Sequence, residues 1–348
     1  VAIVTALADA LDRGAIDGRA ARAAERVFAA AAARSIARPL RAPRGVRVAT
    51  IGGATLGGSG KTPLAVACAR FVAESLGPDA AIAGRGGGAI RVALVGHAYG
   101  ASPGAARVVR AGDDPRVVGD EARACAGELA DLAGVEVIVG PTRQVAVDLA
   151  ASRGARAIVI DGPSQIAPAR ADLALLAVDA SSPWGSGACP PRGNLRAPRA
   201  ALLAAADAVV RVDDALAPAA TSAGGPRLVI DTDGARARDG SRTSCAELRA
   251  MRVGLVTSLA RPSRLVAFLR ARGIAPVVTV HAGDHRDVAL HRLTSLRDGE
   301  AQPLDAWLVT AKCAAHLPAA FNGRVLALDL VSRVDDALAT LLRTRLIP

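Results

Sequence analysis

One stretch near the first sixth of the chain constrains the fold more than any other. A short apolar run at 46–51 leads into Gly-Gly-Ala-Thr-Leu-Gly-Gly-Ser-Gly-Lys-Thr-Pro at 52–63, and then into an apolar, Ala-rich stretch to about residue 76. A buried strand, a glycine-rich turn and a helix in that order are the opening of a parallel α/β sheet. The turn itself predicts an anion cradle, because backbone N–H groups of the loop and of the helix N-terminus converge on one point. Gly57, Gly58 and Gly60 let the backbone turn sharply and let phosphate come close. Thr55, Leu56 and Ser59 complete the loop, Lys61 is placed to neutralise the β- and γ-phosphates, and the Thr62 hydroxyl to ligate Mg²⁺. Pro63 suits the first helical turn, where its missing N–H has no partner to lose. The loop at 55–62 therefore predicts binding of ATP with Mg²⁺, although Thr55 stands where the general pattern G-x-x-x-x-G-K-[ST] has its first glycine.

The rest of the chain extends the alternation. Candidate strands at 80–83, 135–139, 157–160, 173–178 and 208–212 are separated by helical stretches, which predicts a parallel sheet covered on both faces. An Ala-, Pro-, Gly- and Ser-rich stretch at 216–226 reads as a linker. Beyond it, runs at 253–257, 277–280, 307–310 and 325–328, with a helix at 261–272, repeat the pattern. The expected fold class is thus α/β: a P-loop NTPase-type parallel sheet flanked by helices at 46–215, with a second, smaller α/β lobe at 227–348. Residues 1–45 are Ala- and Arg-rich with a helical rhythm at 22–38. This N-terminal segment reads either as a helix packed on the main domain or as one lying on a membrane surface.

Composition narrows the partners. Of the 348 residues only 2% are aromatic, so the formal charge of +11 comes without the rings that stack on bases, and the arginines are spread rather than clustered. Nucleic acid is not expected as a partner, whereas a phosphorylated substrate or an anionic lipid surface is compatible. Lys61 and Lys312 are the only lysines in an arginine-rich chain, which draws attention to both. The five cysteines contain no C-x-x-C pair, so neither a zinc knuckle nor a disulfide framework is indicated and the chain reads as cytosolic. No apolar run reaches the ~20 residues needed to cross a bilayer.

The variant loop carries a further resemblance. Thr55-Leu56-Gly57-Gly58-Ser59-Gly60-Lys61-Thr62-Pro63, preceded by Ile51-Gly52-Gly53, resembles the loop of the tetraacyldisaccharide 4′-kinase family (lipid A 4′-kinase), which also begins with Thr. Further segments resemble that family in order: Gly84-Arg85-Gly86, Val118-Gly119-Asp120-Glu121, Val139-Gly140-Pro141-Thr142-Arg143, and Leu176 to Ala180 followed by Trp184-Gly185-Ser186-Gly187. Gly193-Asn194-Leu195-Arg196, Gly283-Asp284-His285 and Thr310-Ala311-Lys312-Cys313 continue the series. The resemblance implies transfer of the ATP γ-phosphoryl group to the 4′-hydroxyl of a lipid A disaccharide precursor, at the cytoplasmic face of the inner membrane, by a peripheral protein. It implies Asp120 as base with His285 as its partner, Asp161 beside Mg²⁺, and Arg85, Arg143 and Arg196 toward phosphate groups. It implies no obligate protein partner. The chain departs from the family at Ile160-Asp161-Gly162-Pro163-Ser164-Gln165, which stands for D-D-G-F-Q-H, and at Ala311, Cys313 and Arg286. A carboxylate lost beside the metal would remove charge that the reaction needs. Two expectations follow: a working kinase, or a relative that binds nucleotide without passing the phosphoryl group on.

Overall fold

A computed structural model describes residues 10–77, 90–96, 100–216, 224–259, 262–281, 303–314, 317–318 and 320–347, with Leu7, Ala98 and Leu293. The chain forms two compact units, one of Val1–Asp213, Thr221–Val229 and Ser332–Pro348, the other of Asp214–Ala220 and Ile230–Val331.

The strands of the first unit are β1 (Ala37–Pro39), β2 (Arg47–Gly53), β3 (Val92–Val95), β4 (Arg107–Val109), β5 (Val135–Val139), β6 (Ala157–Asp161), β7 (Gln165–Ala167), β8 (Leu173–Asp179) and β9 (Ala208–Asp214). Its main sheet runs in the order β9-β8-β2-β6-β3-β5-β4. Every pairing is parallel except that of β4 with β5. β2 lies inside this sheet with β6 on one side and β8 on the other, and it is buried from Val48 onward. A strand covered on both faces needs apolar residues at successive positions rather than alternate ones, and Val48-Ala49-Thr50-Ile51 meets that demand with one β-branched hydroxyl. Parallel strands bring their C-terminal ends to one edge, where ligands of open α/β sheets bind. Here that edge holds Gly53, Asp161 and Asp179.

One face of the sheet is sealed by a cluster that includes Val48, Val95, Ile138, Ile158 and Ile160 together with Ala146, Val147 and Ala150 of the helix Arg143–Ser152. The helix Lys61–Leu76 buries Leu64 to Ala69, Val72 and Ala73. Against it packs the C-terminal helix Asp336–Leu346, with Arg343 stacked 5.1 Å above the Phe71 ring. This last helix thus belongs to the first unit, not to the second lobe in which a linear reading of the sequence had placed everything after residue 226.

In the second unit β12 (Val253–Thr257) pairs in parallel with β13 (Val278–His281) and β14 (Ala306–Val309), and β14 pairs in parallel with β15 (Val325–Val334), while β10 (Arg227–Ala237) and β11 (Arg242–Ser244) form an antiparallel pair. One of its core clusters gathers Leu248, Leu255, Leu269, Leu308 and Leu326 with Phe268, and another surrounds Trp307. The expected α/β fold with a smaller second α/β lobe is what the chain adopts.

Three local differences have physical causes. The N-terminal helix spans Arg19–Arg34 and the chain then extends, since Pro39 forces its predecessor out of helical angles and β1 pairs with β7 instead. The phosphate-loop helix starts at Lys61, ahead of Pro63, so the proline sits within the first turn as a helix start allows. The strand expected at 80–83 lies outside the described residues. The next described strand after that helix is β3, whose four residues Val-Ala-Leu-Val are wholly buried.

Candidate active site

The loop after β2 takes its shape from glycine. Gly60 has φ +79°, in the left-handed region, and a Cβ there would come within 2.7 Å of Val212. Only a residue without a side chain satisfies both the angle and the space. The Ser59 side chain folds back toward Gly53 and is 2% exposed. At the open end of the loop, Thr55 makes an antiparallel bridge with Leu195, Leu56 N–H donates to the Asn194 carbonyl (2.9 Å), and Arg196 N–H donates to the Ala54 carbonyl (2.9 Å). The Thr55 hydroxyl donates to the Gly57 carbonyl at 2.7 Å. A hydroxyl that closes the turn from within gives position 55 a use that glycine does not have.

Asp161, last residue of β6, lies at the centre of the site and is 4% exposed. Its Oδ2 accepts a hydrogen bond from the Thr62 hydroxyl at 2.8 Å, and Lys61 Nζ stands 3.6 Å from its Oδ1. The register that pairs Ile51 with Asp161 sets this meeting, because β6 ends beside the last residues of β2, before the loop that carries Lys61 and Thr62. Arg143 opens the helix Arg143–Ser152, which is capped by the Thr142 hydroxyl, and its Nη2 reaches the Asp161 carbonyl at 3.5 Å. Gly162, φ +117°, leaves the space that Arg143 fills, since a Cβ there would lie 2.6 Å from that same Nη2. Arg196 Nη2 touches the Leu56 carbonyl at 3.5 Å.

Charge and hydrogen bonding in this region are incomplete. Ser59 Oγ, Arg143 Nε, Arg196 Nε and Asp161 Oδ1 are buried without a hydrogen-bond partner among the described residues. Burial pushes both the Arg143 and Arg196 guanidinium groups down from their usual range; the carboxylate of Asp161 opposes this, and Arg38 of β1 adds to the repulsion on each. Buried polar groups are costly unless paired, so a pocket with surplus donors and cations calls for an anion rich in oxygen acceptors. A polyphosphate has that chemistry. The Thr62 hydroxyl with the Asp161 carboxylate also forms a small set of hard oxygen donors, which suits Mg²⁺ because that ion keeps several waters and takes the rest of its shell from phosphate.

Asp120 is 6% exposed and stands in the first turn of the helix Asp120–Glu128. Gly119, φ +88°, occupies the cap position, and the Asp120 carboxylate accepts the neighbouring Glu121 N–H at 2.8 Å. Placed beside the exposed N–H groups of a helix start, an anionic Asp120 is favoured by the helix dipole. Arg70 fastens this helix to the phosphate-loop helix, donating to the Glu128 carbonyl (2.5 Å) and pairing with Asp131 (2.8 Å). One turn in from Asp120, burial raises the Cys125 thiol well above its usual range; the charge of Asp161 adds to the rise and Lys61 opposes it. The helix that carries Asp120 therefore lies within electrostatic reach of the loop. His285 and Arg85 lie outside the described residues.

The altered segment after β6 is placed differently from what its sequence suggests. Ile160 points into the apolar cluster with Val95 and Ile138 and is fully buried. Strand alternation sends Asp161 to the opposite side, so Ile160 takes no carboxylate away from the Thr62 side of the strand. Gln165 cannot serve the site either, because its Oε1 accepts from Ile166 N and Ala171 N and its Nε2 donates to the Ala205 carbonyl. In the second unit Cys313 is a core residue whose Sγ accepts from Ser258 N–H at 3.2 Å. Sequence reasoning missed Arg38 and the Asn194 carbonyl. In a chain with so many arginines nothing singles out Arg38, and a backbone acceptor leaves no trace in residue type.

A model of the family described as tetraacyldisaccharide-1-P 4′-kinase matches residues 20–347. A tetraacyldisaccharide 4′-kinase of Anaeromyxobacter dehalogenans (strain 2CP-1) is 35% identical over 351 residues, covering 93% of this chain and 88% of the relative. One of Methylobacterium sp. (strain 4-46) is also 35% identical, covering 92% and 90%. Among solved structures, LpxK from Aquifex aeolicus, crystallised in complex with ATP, superposes with a TM-score of 0.64 at 18% identity, covering 94% of this chain and 97% of its own; at that identity the likeness speaks for the fold. With a match across nearly its whole length and relatives this similar, the chain belongs to the tetraacyldisaccharide 4′-kinase family.

Proposed function

We propose that this protein transfers the γ-phosphoryl group of ATP to the 4′-hydroxyl of a tetraacyldisaccharide 1-phosphate, the lipid A precursor. The observation that carries this reading is the set of buried donors without a hydrogen-bond partner among the described residues, Ser59 Oγ, Arg143 Nε and Arg196 Nε, beside Lys61 and the Asp161 carboxylate. Phosphoryl transfer needs little covalent help from the protein; alignment and positive charge around the transferring group supply most of it.

In this reading the loop at 55–62 holds the β- and γ-phosphates by backbone N–H groups and Lys61. Bound Mg²⁺, held by the Thr62 hydroxyl and Asp161, would supply neutralisation of the phosphate charge. Arg143 and Arg196 hold the non-bridging oxygens, with Arg85 assigned to the same group of phosphate contacts by its motif. Asp120 accepts the proton of the 4′-hydroxyl as its oxygen bonds to the γ-phosphorus, the bond to the β-phosphate oxygen breaks, and ADP leaves. The family resemblance would assign His285 to Asp120 as its partner. The helix Arg19–Arg34 has no fully buried residue and leaves Val27 73% exposed. With arginines interleaved, it suits a lipid surface, so the reading places the protein peripherally at the cytoplasmic face of the inner membrane. Among the described residues no helix is long and apolar enough to cross a membrane.

Complementation tests the reading in a cell. In a Gram-negative strain depleted of its own lipid A 4′-kinase, this chain should restore growth and the Lys61→Ala variant, expressed to the same level, should not. Failure of the wild-type chain to restore growth while the 35%-identical relatives do so would overturn it.

A further inference from the structure

The open end of the phosphate loop is held by the segment Cys189 to Arg196, and that segment is in turn held by the N-terminal region. Asn194 is 3% exposed. Its backbone carbonyl takes the Leu56 N–H, while its side-chain Nδ2 donates to Asp12 at 2.5 Å and its Oδ1 accepts from Ser186 N–H at 3.1 Å. Two residues earlier, Arg192 Nη1 donates to Glu25 Oε2 at 2.7 Å and Arg192 Nε to Asp17 Oδ1 at 3.0 Å. The other Glu25 oxygen accepts the Cys189 N–H at 3.0 Å.

Apolar packing follows the same route. Ala32 and Ile36, at the end of the N-terminal helix, lie with Trp184 against the buried cluster that contains Ala54 and Ala197. Ala54 immediately precedes Thr55, and Ala197 follows Arg196. The helix Arg19–Arg34 has no fully buried residue of its own, so its seating rests on these polar links and this one apolar edge.

We propose that Glu25, Arg192 and Asn194 are positioning residues for ATP: they pass the seating of the N-terminal helix to the phosphate loop through Leu56, Thr55 and Ala54. A loop whose backbone is fixed before nucleotide arrives loses less entropy on binding, so a broken link weakens ATP binding without touching any group that contacts phosphate. The coupling is reciprocal, so ATP also tightens the seating of the helix. The inference rests on ATP occupying the loop, and the test separates the two claims.

The test is direct ATP titration of the full chain, with steady-state kinetics alongside. Glu25→Arg sets two cations face to face; we expect ATP affinity to fall roughly five- to tenfold, within the usual range of coupling between sites, with kcat at saturating ATP within about twofold. Glu25→Gln, which keeps the Cys189 contact but weakens the pair, should fall between. In the wild type, ATP should slow amide exchange across residues 19–34. Unchanged ATP affinity in a folded Glu25→Arg protein overturns the inference. A wild-type protein that does not bind ATP at all overturns the proposed occupancy of the loop instead.

Discussion

A lysine at 61 faces a carboxylate at 161 across 3.6 Å, and the Thr62 hydroxyl takes the other oxygen of the same group. These three groups satisfy one another in part; bound nucleotide and metal would take over the contacts. Lys61→Ala should therefore abolish both ATP binding and turnover, as measured by titration and product formation. Asp120→Asn should behave differently. Removing a general base costs about 10²–10⁴ in kcat while ATP affinity stays near the wild-type value, and equal loss of both would remove Asp120 from that role. Gly162→Ala places a methyl group against Arg143 and a side chain at φ +117°, a strained position. Backbone strain of that kind costs on the order of 1–3 kcal/mol, and the displaced guanidinium should lower turnover more than it lowers the melting temperature. At this scale the sequence was legible where chemistry demands a residue type: Lys61, Thr62 and Asp161 meet as the motif implies. It misled at Ile160, because residue type alone does not say which side of a strand a side chain occupies. There the missing carboxylate looked like a loss to the site, whereas the side chain is core.

At the scale of elements, hydrophobic runs and glycine placement carried most of the fold. β2, β5, β6, β8 and β9 all fall where apolar runs predicted strands. β4 and β7, of three residues each, were not foreseen, since runs that short have no periodicity to read. The pairing of β1 with β7 was equally hidden, because it joins residues 37–39 to residues 165–167 across a long stretch of chain. The packing of the helix Asp336–Leu346 on the phosphate-loop helix makes a prediction at this level. Leu342 is fully buried, and Leu342→Ala should cost about 2–5 kcal/mol of stability by transfer and cavity terms. Chemical denaturation should show that loss, and ATP at saturating concentration should recover part of it, since a ligand bound only to the folded state stabilises it. An unchanged midpoint would mean that the helix is not part of the first unit's fold.

Across the whole molecule, the division into two units places the last residues, Ser332–Pro348, with the first unit and leaves Ile230–Val331 as the body of the second. A linear reading assigns contiguous stretches to domains, and a chain that returns to its first unit defeats that assumption. The arginine-rich composition likewise gave a charge of +11 but no location for it. Only the fold shows that Arg143 and Arg196 come together near Asp161, from segments more than fifty positions apart. Cations placed around a transferring phosphoryl group stabilise its transition state, which is the physical basis for expecting transfer. The most direct measurement is incubation of the purified full chain with ATP, Mg²⁺ and a tetraacyldisaccharide 1-phosphate acceptor dispersed in detergent, with the product's phosphate positions resolved by NMR. The account predicts a bisphosphate carrying its new phosphate at the 4′ position, one ADP formed for each, and none with Lys61→Ala; ATP bound by the wild-type protein with no phosphate appearing at the 4′ position would contradict it.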